Sequence, residues 1–260
     1  MPDSDMILDS PQSFVVKQEC GKVTWQNGYR RVLDEIDGWA HFGSTTARGM
    51  VAIASEGADG RWFLAIDHSG VIEELALAPA DIAGPGLARY SFDTLGELYA
   101  VMPQVYDLGV ALPDAPLETF IEKTKNLPRT TEAERLVVQR VGQDVFRNSL
   151  LKYWNNRCSL TGIQDLALLR ASHIIPWRKC PDDAERLNPF NGLLLSALWD
   201  AAFDKGLVTF DDDGQPLFSP NLSSKAQAEL RWNNPLPLRD KHRERLNWHR
   251  SHLFQQGSSE

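Results

Sequence analysis

Between residues 167 and 206 breakers and caps cut the chain into short pieces, which leaves few ways to fold it. The run "ALLRASHI" reads as a β-strand, and Pro176 closes it. A polar loop leads to the turn dipeptide Asn191-Gly192, and a second strand, "GLLLS", follows. Ser196 is then placed to N-cap a helix, "ALWDAAFDK", and Gly206 stands where a left-handed C-cap belongs. The order is strand, loop, strand, helix, with His173 near the end of the first strand. Asp200 and Asp204 are four apart, so both carboxylates share one helix face, close enough to hold one divalent cation. In the last helical turn the macrodipole disfavours an anion. A bound cation would compensate Asp204 there, and the alternative is pairing with a base such as Lys205 or Arg186.

Upstream, Thr131 and Glu134 have capping-box spacing, and Leu136, Val137, Val141, Val145, Leu150 and Trp154 follow at mostly helical intervals. This is a long amphipathic helix ending near "NNRCSLTG". Three prolines break the pattern in residues 108–130, so a domain boundary is expected there, dividing the chain into 1–125 and 126–260. In the first part, "GMVAIAS" and "RWFLAID" flank a Gly/Asp-rich turn and read as a hairpin. "GVIEELAL" is expected to continue the sheet, "ALAPADIAGPGLARY" to be loop, and "TLGELYAVM" to form a short helix capped by Thr94 and Glu97. "LVTF" and "QPLF" form a further hairpin near the end. The fold class is α+β: an N-terminal mixed domain with β-hairpins, then a C-terminal helical domain.

Charge is divided between the halves. Residues 1–120 carry 7 Lys+Arg against 18 Asp+Glu, a net −11, whereas residues 121–260 carry 20 against 17, a net +3. Phosphate binding depends on Lys and Arg, so the second half is the DNA candidate. Its tail, Lys225 to His252, holds seven Lys/Arg, three acids and three histidines. His242, His249 and His252 are expected to line a surface. Cys20, Cys158 and Cys180 are too few and scattered for a disulfide framework, and no C-x-x-C pair offers half of a zinc site, so no structural zinc is expected. No apolar run approaches bilayer length, and the opening "MPDSDMILDS" is acidic where a secretory signal would be basic, which makes a cytoplasmic protein without a membrane partner the expectation.

The segment from Arg140 to Phe210, with "RVGQDVFRNSLLKYWNNRCSLTG", "LLRASHIIPW" and "ERLNPFNGLLLSALWDAAFDKGLVTF", resembles the HNH nuclease family, in the branch found among restriction endonucleases. The ending "LNWHRSHLF" is similar to that of the same branch; residues 1 to about 125 resemble nothing named. The resemblance implies a ββα-metal unit in which His173 is the general base and Asn191 the asparagine that orients its imidazole. It also implies one Mg²⁺ or Mn²⁺ ion held by Asp200, Asp204 and the residue before the base, here Ser172. Family members usually have Asp or His at that position, so a two-carboxylate site is preferred, and Cys158 is taken as a core thiol.

That chemistry suits the residues. Phosphodiester hydrolysis needs an activated water and positive charge on the phosphate and leaving oxygen. An imidazole suits the first task, and carboxylates holding a hard cation suit the second. Arg170, Arg178, Lys179 and Arg186 would hold flanking phosphates. Trp177 either wedges against DNA or covers the core, core packing being preferred. The expected function is a metal-dependent DNA endonuclease of restriction or defence type, with an N-terminal sensing or targeting domain. The rival is a catalytically silent DNA-binding or regulatory protein that keeps the scaffold, a reading Ser172 favours. The sequence leaves open a homodimer and a small-molecule or modified-base ligand for the first domain, for which Trp25, Tyr29, Arg30, Arg31, Trp39, His41 and Trp62 are the candidate lining.

Overall fold

The computed structural model describes residues 7–256, so the first six residues of the acidic opening lie outside it. The chain forms two compact units that meet in sequence at Ala115/Pro116. The first is α1 (Phe14–Gln26), β1 (Arg31–Ile36), β2 (Trp39–Gly43), β3 (Met50–Ser55), β4 (Trp62–Ile66), α2 (Ser69–Leu75), β5 (Ala88–Phe92) and α3 (Leu95–Ala111). Its five strands make one antiparallel sheet in chain order. β1 and β2 are joined by Asp37-Gly38, both at positive φ, as a two-residue primed turn requires.

Three expectations for this unit change. The stretch 76–90, expected as loop, ends in strand, because Ala88, Arg89 and Tyr90 pair with β4 as the start of β5. Residues 69–75 are a helix and do not extend the sheet: the His68 ring accepts the Val71 N–H at 3.3 Å as an N-cap, and Val71 and Leu75, one turn apart, are both buried. The helix capped by Thr94 and Glu97 is also longer than expected, running through Pro103 to Ala111, because Leu98, Met102, Val105 and Leu108 keep one apolar face buried. Tertiary burial there outweighs the proline's missing donor.

The second unit is α4 (Ala115–Thr124), α5 (Glu132–Tyr153), β6 (Leu169–His173), α6 (Asp183–Arg186), β7 (Gly192–Ser196), α7 (Ala197–Asp204), β8 (Val208–Phe210), β9 (Pro216–Phe218), α8 (Ser224–Glu229) and α9 (Asp240–His252). The Thr131/Glu134 capping box forms as expected. Residues 115–124, expected to be broken by prolines, are helical, and Phe120 sits in this unit's core with Phe146, Leu150, Leu193, Leu195, Trp199 and Leu246. Cys158 is a buried free thiol in the same core.

Asn191-Gly192 is not a left-handed turn. Gly192 is extended (φ −148°), and its lack of a side chain lets β7 start against α5: a Cβ there would lie 2.5 Å from Phe146 Cζ. Gly206 does take the left-handed cap, at φ +65°. Ser196 precedes α7 without a side-chain cap bond. Among the described residues no helix is long and apolar enough to cross a membrane.

Candidate active site

β6 and β7 pair antiparallel, with Ser172 opposite Leu193 and His173 opposite Gly192, and α7 follows β7 directly. Ser172 is buried although Arg170, on the same face of β6, is exposed, and the Ser172 hydroxyl donates to Asp200 Oδ1 at 2.5 Å, tying α7 to the hairpin. Asp200 is half-buried. Burial pushes its carboxyl pKa up; the Ser172 bond opposes this, the charge of Asp204 adds to it, and Arg170 opposes it. Asp204 is exposed and lies 3.5 Å from the Lys205 ammonium, the pairing weighed as the alternative to a cation.

His173 ends β6 with its ring stacked on Phe146 (centroids 3.8 Å apart, planes at 17°) and edge-on to Trp177 at 5.6 Å. Its Nε2 lies 2.9 Å from the carbonyl oxygen of Arg186. A carbonyl can only accept, so Nε2 carries the proton and Nδ1 keeps the lone pair. Burial depresses the pKa to about 4, against the opposing pull of the Arg186 carbonyl and of Glu185.

Asn191 is fully buried, and its side chain binds backbone. Oδ1 accepts the Ile175 N–H at 2.8 Å, and Nδ2 donates to the carbonyls of Ile175 (3.1 Å) and Glu185 (3.3 Å), with Cys180 Sγ also at 3.3 Å. It thus cross-braces the β6–β7 loop and makes none of its bonds to the imidazole.

Among the expected phosphate contacts, Arg170, Arg178 and Lys179 are exposed. Arg186 is engaged within the fold: Nε donates to the Trp177 carbonyl (3.2 Å), Nη2 to that of Cys180 (3.2 Å), and Nη1 to Asp183 (2.8 Å). Trp177 packs on the core, over Gly142, where a Cβ would lie 2.6 Å from its ring. The tail histidines differ from expectation. His242 and His249 are buried, the first among Tyr153, Trp154 and Phe190 and the second stacked on Phe203 at 4.1 Å; only His252 is exposed. An apolar helix face recruits them, and their few apolar neighbours in sequence gave no sign of it. The Phe146 stack and the pairing of Arg245 with Glu185 (both bonds 2.7 Å) were also illegible, because these partners are far apart in sequence.

Residues 158–211, the stretch holding β6, β7 and α7, match the HNH endonuclease family. The second unit carries an HNH endonuclease domain. No curated protein matches the chain. The HNH domain match covers His173, Asn191, Ser172, Asp200 and Asp204, and it ends before α9. Among the described residues no group of three or more His, Cys, Asp or Glu stands together as a metal site. The candidate oxygen donors are Asp200 and Asp204 on α7 and the Ser172 hydroxyl on β6.

In the first unit the aromatic and basic subset does not gather round one pocket. Tyr29, Trp39 and Trp62 are buried core residues, and Trp25 is exposed with Arg30 5.4 Å over its ring. Trp39 and His41 do line a cavity of about 620 Å³ with Ile36, Asp37, Gly84 and Pro85.

Proposed function

We propose that the HNH domain is a metal-dependent DNA endonuclease with His173 as general base. The observation that carries this reading is the His173 ring: pinned by Phe146 and by the Arg186 carbonyl, it is left with Nδ1 as its free basic nitrogen. In the reaction Nδ1 takes a proton from water, the resulting hydroxide attacks phosphorus, and the bond from phosphorus to the 3′ oxygen breaks in line. Asp200, with the Ser172 hydroxyl bonded to it, and Asp204 are hard oxygen donors, and a cation would offset the burial that, with the lesser contribution of the Asp204 charge, raises the pKa of Asp200. Mg²⁺ or Mn²⁺ held there would stabilise the charge that builds on the phosphate and the departing oxygen. Arg170, Arg178 and Lys179 hold flanking phosphates, while Arg186 and Asn191 shape the loop around the base.

The wider role proposed is restriction or defence, with domains 1–125 and 126–260 as targeting and cutting parts. With a net −11 over residues 1–120, the first part cannot owe DNA affinity to a general positive surface. The cavity beside Trp39 and His41 is where a small-molecule or modified-base ligand would enter. The second reading, a DNA-binding scaffold without catalysis, is favoured by one observation: Asp204 is exposed and already paired with Lys205. Plasmid incubated with the full chain and Mg²⁺ or Mn²⁺ separates the two. Metal-dependent nicking that His173→Ala lowers by about 10²-fold or more supports the enzyme. Retarded but uncut plasmid supports the scaffold, and undiminished cutting by a folded His173→Ala removes the base assignment.

A further inference from the structure

The carbonyl that fixes the His173 ring belongs to Arg186, at the end of α6, a single helical turn inside the loop between β6 and β7. Such a turn has little stability of its own and takes its position from what grips it. Asp182 caps it, accepting the Glu185 N–H at 2.9 Å, and the Arg186 guanidinium reaches back to the loop. The third grip comes from sixty residues away. Arg245 Nε and Nη2 donate to Glu185 Oε1 and Oε2, both at 2.7 Å, and the two side chains are only 15% and 19% exposed. A bidentate guanidinium–carboxylate pair fixes direction as well as distance, and burial removes most competition from water.

Glu185 is held from the other side as well, because its own carbonyl accepts from Asn191 Nδ2. Its side chain is thus fixed by α9 and its backbone by Asn191, and the next carbonyl along is the one His173 meets. α9 is itself anchored, with His242, Leu246 and His249 buried on one side. We infer that the Arg245–Glu185 pair is a positioning device for the general base, holding through α6 the carbonyl that sets the orientation and tautomer of His173. Arg245 lies beyond the matched residues 158–211, so α9 belongs to the working site although the family match stops short of it. This rests on the nuclease reading. A purely structural pair would look different in one respect: it would behave like Arg250–Asp212 (2.8 Å), another α9 ion pair that leads to the β8–β9 turn.

The test uses the full chain with Arg245→Met, the milder Glu185→Gln, and Arg250→Met as the control. Three quantities are read: kcat and KM on plasmid with Mn²⁺, the melting temperature, and the ¹⁵N signals of the His173 imidazole, which report which nitrogen carries the proton. A base displaced by about 1 Å costs on the order of 10²-fold, so Arg245→Met should lower kcat by roughly 10- to 100-fold while KM stays within about twofold. The His173 signals should move from the pure Nε2–H form to a mixture. Glu185→Gln should change both in the same direction on a smaller scale, and Arg250→Met should lower melting while leaving kcat and the His173 signals unchanged. Wild-type kcat and signals in whichever of the first two variants folds would overturn the inference. So would equal kcat losses in Arg245→Met and Arg250→Met. If the wild type cuts nothing, the nuclease reading fails, and the ¹⁵N signals still decide whether the pair positions His173.

Discussion

His242 makes the second unit sensitive to acid in a way its structure allows to be worked through. The ring is buried among Tyr153, Trp154 and Phe190; Nδ1 accepts the Arg239 N–H at 3.2 Å, and Nε2 has no partner. Burial first, and then the charges of Arg245, Arg239 and Arg243, lower its pKa to about 3. The folded value lies below the unfolded one of about 6.5, so the stability from a neutral imidazole is fully present above pH 6.5 and is lost as pH falls towards 3. The loss is about 1.4 kcal/mol per pH unit, or about 2 kcal/mol by pH 5. His249, held near pKa 4 chiefly by burial, contributes a similar loss over the same window. Together they remove about 4 kcal/mol by pH 5, a large share of the 5–15 kcal/mol typical of a domain. In His242→Phe the ring is replaced by one of similar shape that cannot charge. At pH 7.5 the variant loses an acceptor for the Arg239 N–H and sheds an unpaired buried N–H, so its stability should stay within about 1 kcal/mol of wild type. Urea unfolding between pH 7.5 and 4.5, followed by tryptophan fluorescence, should show a pH slope shallower by about one proton in the variant. Parallel slopes in the two proteins would refute the argument.

Asp200→Ala should weaken Mn²⁺ binding by about tenfold or more, and Asp200→Ala with Asp204→Ala further, so equal affinities by calorimetry would remove the two-carboxylate site. Gly206→Ala forces an alanine to φ +65° and sets its Cβ 2.0 Å from the Leu253 carbonyl oxygen; a loss of about 3 kcal/mol is expected, and an unchanged melting temperature would contradict it. A fragment beginning at Pro116 keeps Phe120 in the core. One beginning at residue 126 loses it, at a cost of about 3–5 kcal/mol, so equal melting of the two would count against α4 as part of the second unit. If the longer fragment cuts with the full chain's substrate range and rate, the first unit has no targeting role.

The hairpin and helix that carry His173 and Asp200 were legible because their signals are local: Pro176, the apolar run of β7, and Gly206 past the end of α7. The Thr131/Glu134 and Thr94/Glu97 boxes were legible for the same reason. Residues 70–77 misled because a short apolar run also fits one helical face, and the cap that decides it is a histidine ring. Asp37-Gly38 is a hairpin signal that would have revealed β1 and β2.

The sequence by itself determined on which element each candidate residue stands, since turn breakers, helix spacing and caps act within a few residues. Only the tertiary structure decided what those residues do to one another. Asn191 braces backbone instead of binding the imidazole, Arg186 is spent inside the fold, and a carbonyl supported by Arg245 selects the nitrogen of His173 that stays free. Hydrogen bonds and ring stacks between distant segments depend on where the whole chain brings each atom. No local pattern of residue types encodes a contact made across sixty positions.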